Sequence, residues 1–208
     1  MLYASAKAYK IYQEKNIDDE IYTATMKCYT RFLDETYAET GQYEFDRFWW
    51  TTRQAGCHLF RIGELEYEIV PQEGRKAIHI HIPSDAVFTP DAVDESLRKA
   101  DAFFKAYDPE LSGSEYFCTS WLLEPRLKDM LSEGSNILSF QNRFQILKEG
   151  EPGTSFLKWV FKTGTDDYTT LPEETSLQRK MKEYILSGGV IRDTCGKLAP
   201  VDKGQSGR

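Results

Sequence analysis

The sequence predicts an α/β chain of the α+β kind: a mixed, mostly antiparallel sheet flanked by helices, with a helical head before it and an extra helix at the C-terminal end. Three observations predict it. Between Cys57 and Pro83 apolar and polar residues alternate strictly, Leu65, Tyr67 and Ile69 with Glu66 and Glu68, then Ile78, Ile80 and Ile82 with His79 and His81, which is the period of half-buried strands. After Thr89, the residues Val93, Leu97, Ala100 and Phe104 recur at helical spacing, giving one apolar stripe. The run Tyr116 to Leu123 is apolar nearly throughout, as expected of a strand covered on both faces.

The head, residues 1–56, reads as three helices. The first covers about Ala4 to Glu14; the second is capped by Asp18, carries Ile21, Ala24, Cys28 and Phe32 on one face and stops at Gly41; the third spans about Glu44 to Gln54 and ends at Gly56. Its consecutive Phe48, Trp49 and Trp50 cannot share one narrow face, so at least one meets a neighbouring element or stays partly exposed.

The body, residues 57–199, opens with a meander closed by turns at Gly63 and Gly74. Its register puts Arg61, Glu66 and His81 in one cross-strand row and Leu59, Glu68 and His79 in the next, all on one face. Phe60, Tyr67 and Ile80, with Ile62, Leu65 and Ile82, make the opposite, core face. Thr89 and Pro90 then cap and start the long helix, which stops before Pro109. After the strand to Leu123 come a short helix from Arg126 to Leu131, the helical segment SNILSFQNRF, and two strands, Gln145 to Glu149 and Phe156 to Lys162, parted by the turn EGEPG. A last helix starts at Pro172, docks Leu177, Met181, Tyr184 and Ile185 on the body and ends at Gly188 and Gly189. Residues 200–208 read as a disordered tail.

Composition narrows the function. The 208 residues suffice for one sizeable core. A formal net charge of −7 leaves no electrostatic footprint for nucleic acid or an anionic membrane. No signal peptide or membrane span is legible. Cys28, Cys57, Cys118 and Cys195 have no C-x-x-C spacing, so reduced thiols in a cytoplasmic protein are expected. No P-loop, dinucleotide fingerprint or nucleophile elbow occurs.

The polar face of the meander admits several readings. Its acid, imidazole and guanidinium groups can pair across strands as a solvated surface, for roughly 0.2 to 1 kcal/mol each. His79 and His81, with Glu66 or Glu68 beside them, can ligate a divalent metal in a β-barrel enzyme. One histidine backed by a carboxylate can serve as a general base.

The runs RQAGCHLFRIGELEYEI, IHIHIPSDA with SLRKADAFF, CTSWLLEP, SNILSFQNRF and TSLQRKMKEYILSGG, in that order, resemble the C-terminal domain of a bacterial acyltransferase-like family related to the GNAT N-acyltransferases. The likeness runs from the head to the last helix. It implies an acyl-CoA or acetyl-CoA co-substrate lying in a V-shaped gap between two central strands, here Ile78 to Ile82 and Phe117 to Leu123. It implies pantetheine paired against the backbone at Ile80, Ile82 and Ser84, and pyrophosphate at the start of the helix from Thr89. Asn136, Phe140 and Phe144 match the segment that helps to hold CoA in such folds. The resemblance also implies a further N-terminal domain as partner, with this chain beginning at the C-terminal one.

On this reading an acyl group passes from acyl-CoA to a small-molecule or peptide amine, with His81 as base, Glu66 as its support, Ser120 as a polar contact and no resident metal. The sequence departs from the family pattern at two places. PSDAVFTPD replaces a glycine-rich, basic phosphate loop, bringing Asp85, Asp91 and Asp94 near the expected pyrophosphate, and Thr119 stands where relatives carry a histidine. These departures fit the alternative of a non-catalytic binding module with the same fold.

Overall fold

The computed structural model describes residues 2–199; the tail expected over 200–208 lies outside the described residues. The head consists of α1 (Leu2–Glu14), α2 (Asp19–Met26), α3 (Cys28–Thr40) and α4 (Phe48–Ala55). The single helix expected from Asp18 to Gly41 is two, divided at Lys27, and Asp18 makes no side-chain capping bond. Gly41 does end α3, at φ 73°, a conformation that costs glycine least. Instead of ending at Gln54, α4 runs to Ala55, and it begins only at Phe48.

Among the described residues the sheet holds six strands in the order β1-β2-β3-β4-β6-β5. The meander is β1 (Leu59–Ile62), β2 (Leu65–Gln72) and β3 (Arg75–His81). Its register agrees with the alternation: Arg61 faces Glu66 and Glu66 faces His81, while Leu59 faces Glu68 and Glu68 faces His79. The Gly63 turn has φ 62°, and a Cβ there would lie 3.0 Å from that of Ser96. Close approach lets the buried Ser96 hydroxyl donate to Ile62 O, accept from Leu65 N–H and bond Tyr67 Oη. On the outer edge, α2 covers β1, and Thr25 Oγ1 accepts the Arg61 N–H at 2.9 Å, so a strand edge otherwise open to pairing is occupied.

From β3 the chain crosses through α5 (Pro90–Tyr107) into β4 (Tyr116–Ser120), parallel to β3. The stripe Val93, Leu97, Ala100 and Phe104 is buried as expected, against Phe60, Tyr67, Ile78 and Ile80 on the core face of the sheet. Thr89 precedes α5 in extended conformation without a capping bond. β4 is shorter than the apolar run: Trp121–Leu123 form a 3-10 turn, begun by Ser120 Oγ accepting from Leu122 N–H. Glu124 then turns the chain, accepting from the backbone N–H groups of Arg126 and Arg192.

Two further helices, α6 (Leu127–Met130) and α7 (Asn136–Gln141), lead to β5 (Phe144–Lys148). The strand expected over Phe156 to Lys162 is instead a π-helical turn, Leu157–Phe161, and buries Phe156, Leu157 and Phe161 in a second core with Trp121, Leu127 and Met181. The last helix, α8 (Ser176–Leu186), starts after Pro172, at a capping box in which Thr175 and Gln178 exchange side-chain and backbone bonds. The sheet closes with a strand absent from the sequence reading, β6 (Thr194–Leu198), antiparallel to both β4 and β5. The sheet is therefore open, in place of the barrel that the metal reading needs.

Candidate active site

β3 and β4 pair only as far as Ile80 opposite Cys118. Beyond that point β4 keeps only its pairing with β6 on the opposite edge, with Thr119 facing Cys195 and Ser120 facing Thr194, and the chain after β3 runs on into Pro83 and Ser84. The parted ends open into a cavity of about 840 Å³. Its other walls come from α3 and α4 of the head and from the π-helical turn, with Lys158 and Trp159, followed by Lys162 and by Asp193 just before β6.

Glu66 and His81, on the polar face of the meander, form its floor. His81 Nε2 lies 2.8 Å from Glu68 Oε2, although Glu66 is its direct cross-strand neighbour. The diagonal partner wins because Glu66 is engaged elsewhere: its carboxylate accepts from Arg31 Nη2 at 2.7 Å, and both side chains are nearly buried. The expected support of His81 by Glu66 is thus corrected to Glu68. Glu68 also accepts from Arg53 Nε at 2.7 Å. Burial opposes its charge, but the bonds from His81 and Arg53 outweigh that and hold the carboxyl below its usual range.

Of the three consecutive aromatic residues, Phe48 and Trp49 are exposed, and Trp50 sets its ring edge-on to His81 with centroids 4.9 Å apart. The guanidinium of Arg53 lies over the Trp50 ring, 4.4 Å from its centroid, so one helix supplies both a ring against His81 and a cation to Glu68. The sequence showed the aromatic cluster but not which ring met the histidine.

His79 stands one row back, its ring 4.8 Å from that of His81. Burial first, and the neighbouring His81 second, push it down to about 4, against an opposing pull from Glu68. Its Nε2 lies 3.3 Å from Thr119 Oγ1, and its buried Nδ1 has no hydrogen-bond partner among the described residues. No group of three or more His, Cys, Asp and Glu among them is arranged to hold a metal ion.

The remaining expected residues divide in two. Ile80, Ile82, Ser84, Ser120, Glu66 and His81 all line the cavity. Asn136, at the exposed first turn of α7, does not, and Phe140 and Phe144 are buried, with Phe140 packed between Phe88 and Phe144 at 4.9 and 4.8 Å. Those two rings belong to the core beside α5.

The loop from β3 to α5 is less anionic than its sequence suggests. Asp85 accepts from Arg61 Nη1 at 2.8 Å and faces Arg31 Nη1 at 3.4 Å; burial opposes its charge, yet Arg61 and Arg31 keep its carboxyl below the usual range. Asp94 pairs with Arg143, which also reaches Pro90 O at the start of α5. Ser84 donates to Glu35, and Glu35 in turn pairs with Arg47 and Arg31. The loop is therefore strapped to the head, and Arg31 links α3, β2 and the loop. Nothing in the sequence marked Arg31 as that link, because Glu66 and Asp85 lie 35 and 54 residues away.

Comparison with known proteins agrees with this geometry. The model of the N-acyltransferase N-terminal domain matches residues 1–57, and that of the GNAT-like C-terminal domain matches residues 59–198. Solved structures similar to the chain include an acyltransferase in complex with decanoyl-CoA and teicoplanin, at 26% identity and a TM-score of 0.84. Another is an acyltransferase mutant in complex with octanoyl-CoA, at 25% identity and a TM-score of 0.85. Both alignments cover 94% of this chain and 63% of the other, so the chain spans less than two thirds of the length of these relatives. No curated protein matches the sequence. With the open mixed sheet, the parted central strands and the match over residues 59–198, the chain belongs to the family of the GNAT-like C-terminal domain.

Proposed function

We propose that the chain carries the reacting centre of an acyl-CoA-dependent N-acyltransferase, which moves a medium-length acyl group to an amine of a small-molecule or peptide acceptor. The observation that carries this reading is His81, which lines the cavity where β3 and β4 part and is hydrogen-bonded to Glu68. Solved relatives crystallised with octanoyl-CoA and decanoyl-CoA support the donor class, and the relative crystallised with teicoplanin supports an acceptor of the small-molecule or peptide kind.

The residues have distinct parts in such a reaction. The edges of β3 and β4 beyond Ile80 and Cys118 make no ladder bonds to one another, which leaves backbone groups there for the pantetheine arm and for the thioester carbonyl. With Nε2–H of His81 donated to Glu68, the lone pair sits on Nδ1 and can take the proton of the attacking amine; the carboxylate fixes the tautomer and stabilises the imidazolium that forms. Trp50 and His79 both pack against the ring. The cavity has the size range of small-molecule sites.

The test begins with binding. At a hundred times its dissociation constant, a ligand that binds only the folded chain adds about 2.7 kcal/mol, which raises the midpoint of a chain this size by roughly 5 to 10 °C. Octanoyl-CoA and decanoyl-CoA should give such a rise, and His81→Ala should keep it while losing amine-dependent release of CoA by on the order of 100-fold or more. Absence of both the shift and the release would return the reading to a non-catalytic module.

A further inference from the structure

Thr119 is the first residue of β4 beyond its last pair with β3. Its side chain is exposed, lines the cavity and shares the polar face with His79 and His81, since it follows Phe117, the partner of His79, by two. It stands at the fork of the V, where a thioester lying between the strands must pass.

We propose that Thr119 is a second catalytic side chain of this site, whose hydroxyl donates a hydrogen bond to the thioester oxygen as it becomes an oxyanion, with His79 as the positioning residue that orients that hydroxyl. The proposal rests on the acyl-transfer reading above. Which nitrogen of His79 bears the proton decides whether the Thr119 hydroxyl donates or accepts. The ring is neutral near pH 7, because burial keeps it so, and it therefore carries one N–H. A buried N–H without an acceptor is rarer and costlier than a bare lone pair, and Nδ1 is the buried atom without a partner. The proton therefore sits on Nε2, which donates to Thr119 Oγ1 across 3.3 Å. With its oxygen occupied as acceptor from the ring, the hydroxyl has its own hydrogen to give, and the open side is the cavity.

This arrangement excludes the opposite use of the pair. A nucleophilic threonine would need the histidine to accept its proton, which places an N–H on buried Nδ1. Transfer is therefore direct. The amine nitrogen attacks the thioester carbon, the C=O electron pair moves onto oxygen and is held by Thr119, and collapse breaks the C–S bond. His81 takes the amine proton and returns it to the departing thiolate, giving one amide and one CoA thiol.

The experiment compares the wild-type chain with Thr119→Val and Thr119→Ser, using octanoyl-CoA as donor and hydroxylamine as a small amine probe. Thermal midpoint reports donor binding, release of CoA thiol reports turnover, and the infrared stretch of a 13C-labelled thioester carbonyl in the bound donor reports the hydrogen bond directly. Expected are a midpoint shift that persists in both variants, at most slightly smaller in Thr119→Val, and a kcat lower by roughly 100-fold to 1000-fold in Thr119→Val. The carbonyl stretch should rise in frequency in Thr119→Val, and Thr119→Ser should restore both readouts. A Thr119→Val variant that turns over within threefold of wild type, or an acyl adduct on Thr119 found by mass spectrometry, overturns the proposal and leaves the acyl-transfer reading standing. A wild-type chain that neither binds octanoyl-CoA nor releases CoA removes that reading, and this proposal with it.

Discussion

His81 hydrogen-bonds Glu68 rather than Glu66, the residue directly opposite it across the β2–β3 ladder. Sheet twist brings diagonal neighbours within reach of long side chains, and the choice between the two acids is made by the head, where Arg31 takes Glu66 and Arg53 takes Glu68 from its other side. The two carboxylates therefore answer different questions when removed.

Glu68→Gln should lower amine-dependent CoA release on the order of 100-fold, because the amide no longer stabilises the imidazolium of His81. Glu66→Gln should retain most of the turnover and lower the denaturation midpoint instead. Steady-state rates and urea titrations of the two variants check this; equal losses of turnover would contradict the assignment.

Arg31→Met leaves the Glu66 carboxylate, whose side chain is 4% exposed, without its cation. Breaking a buried pair from one side costs about 3 to 5 kcal/mol, or roughly 10 °C in Tm for a chain of this size. Combining it with Glu66→Leu should recover much of the loss, since the uncompensated charge is then gone. A single variant as stable as wild type would show that the pair carries no such strain.

Acid should weaken the fold through His79. Its folded value of about 4 lies below the usual 6.5, so the unfolded chain binds the proton first. The stabilisation is complete above pH 6.5 and is lost as the pH falls towards 4, by roughly 3 kcal/mol. Glu68, also held low, adds a loss of the same sign further into acid. His79→Gln should flatten the stability profile between pH 6.5 and 4, read as urea midpoints at half-unit steps.

Gly150→Ala tests the cavity wall from outside. A Cβ at Gly150 would lie 1.7 Å from the carbonyl oxygen of Asp193, and backbone cannot yield as a side-chain tip does. The strain should cost about 1 to 3 kcal/mol and, because Asp193 lines the cavity, should raise KM for the acceptor. Gly134→Ala, with open space at its Cβ, is the matched control.

The meander was legible to the residue because one buried face fixes register: a slip by one would expose Phe60, Tyr67 and Ile80. The stripe of α5 was legible for the same reason. The segment FLKWVF misled because aromatic and β-branched residues read as strand, whereas Phe156 and Phe161, five apart, meet on one side of a π-helical turn. β6 escaped because TCGKL has no alternation of its own; its place is set by β4 and β5 on its two sides. Within the site, the sequence marked His81, Ser84 and Ser120 as local features, but it chose Glu66 over Glu68 beside His81 and read Thr119 only as a departure from the family pattern. It could not find Arg31 or Lys162, which reach the cavity from other elements, or Arg53, which bonds Glu68 from α4.

The position of β6 orders events during synthesis. Among the described residues β5 pairs with β6 alone, and β4 relies on β6 for its second edge, so until residues 194–198 leave the ribosome the nascent chain exposes an unpaired edge of β4 at Thr119 and both edges of β5. The gap cannot acquire its final width before then. A ribosome stalled a few codons early would carry a folded meander and helical head with no working fork, and those bare edges are what a chaperone would have to shield.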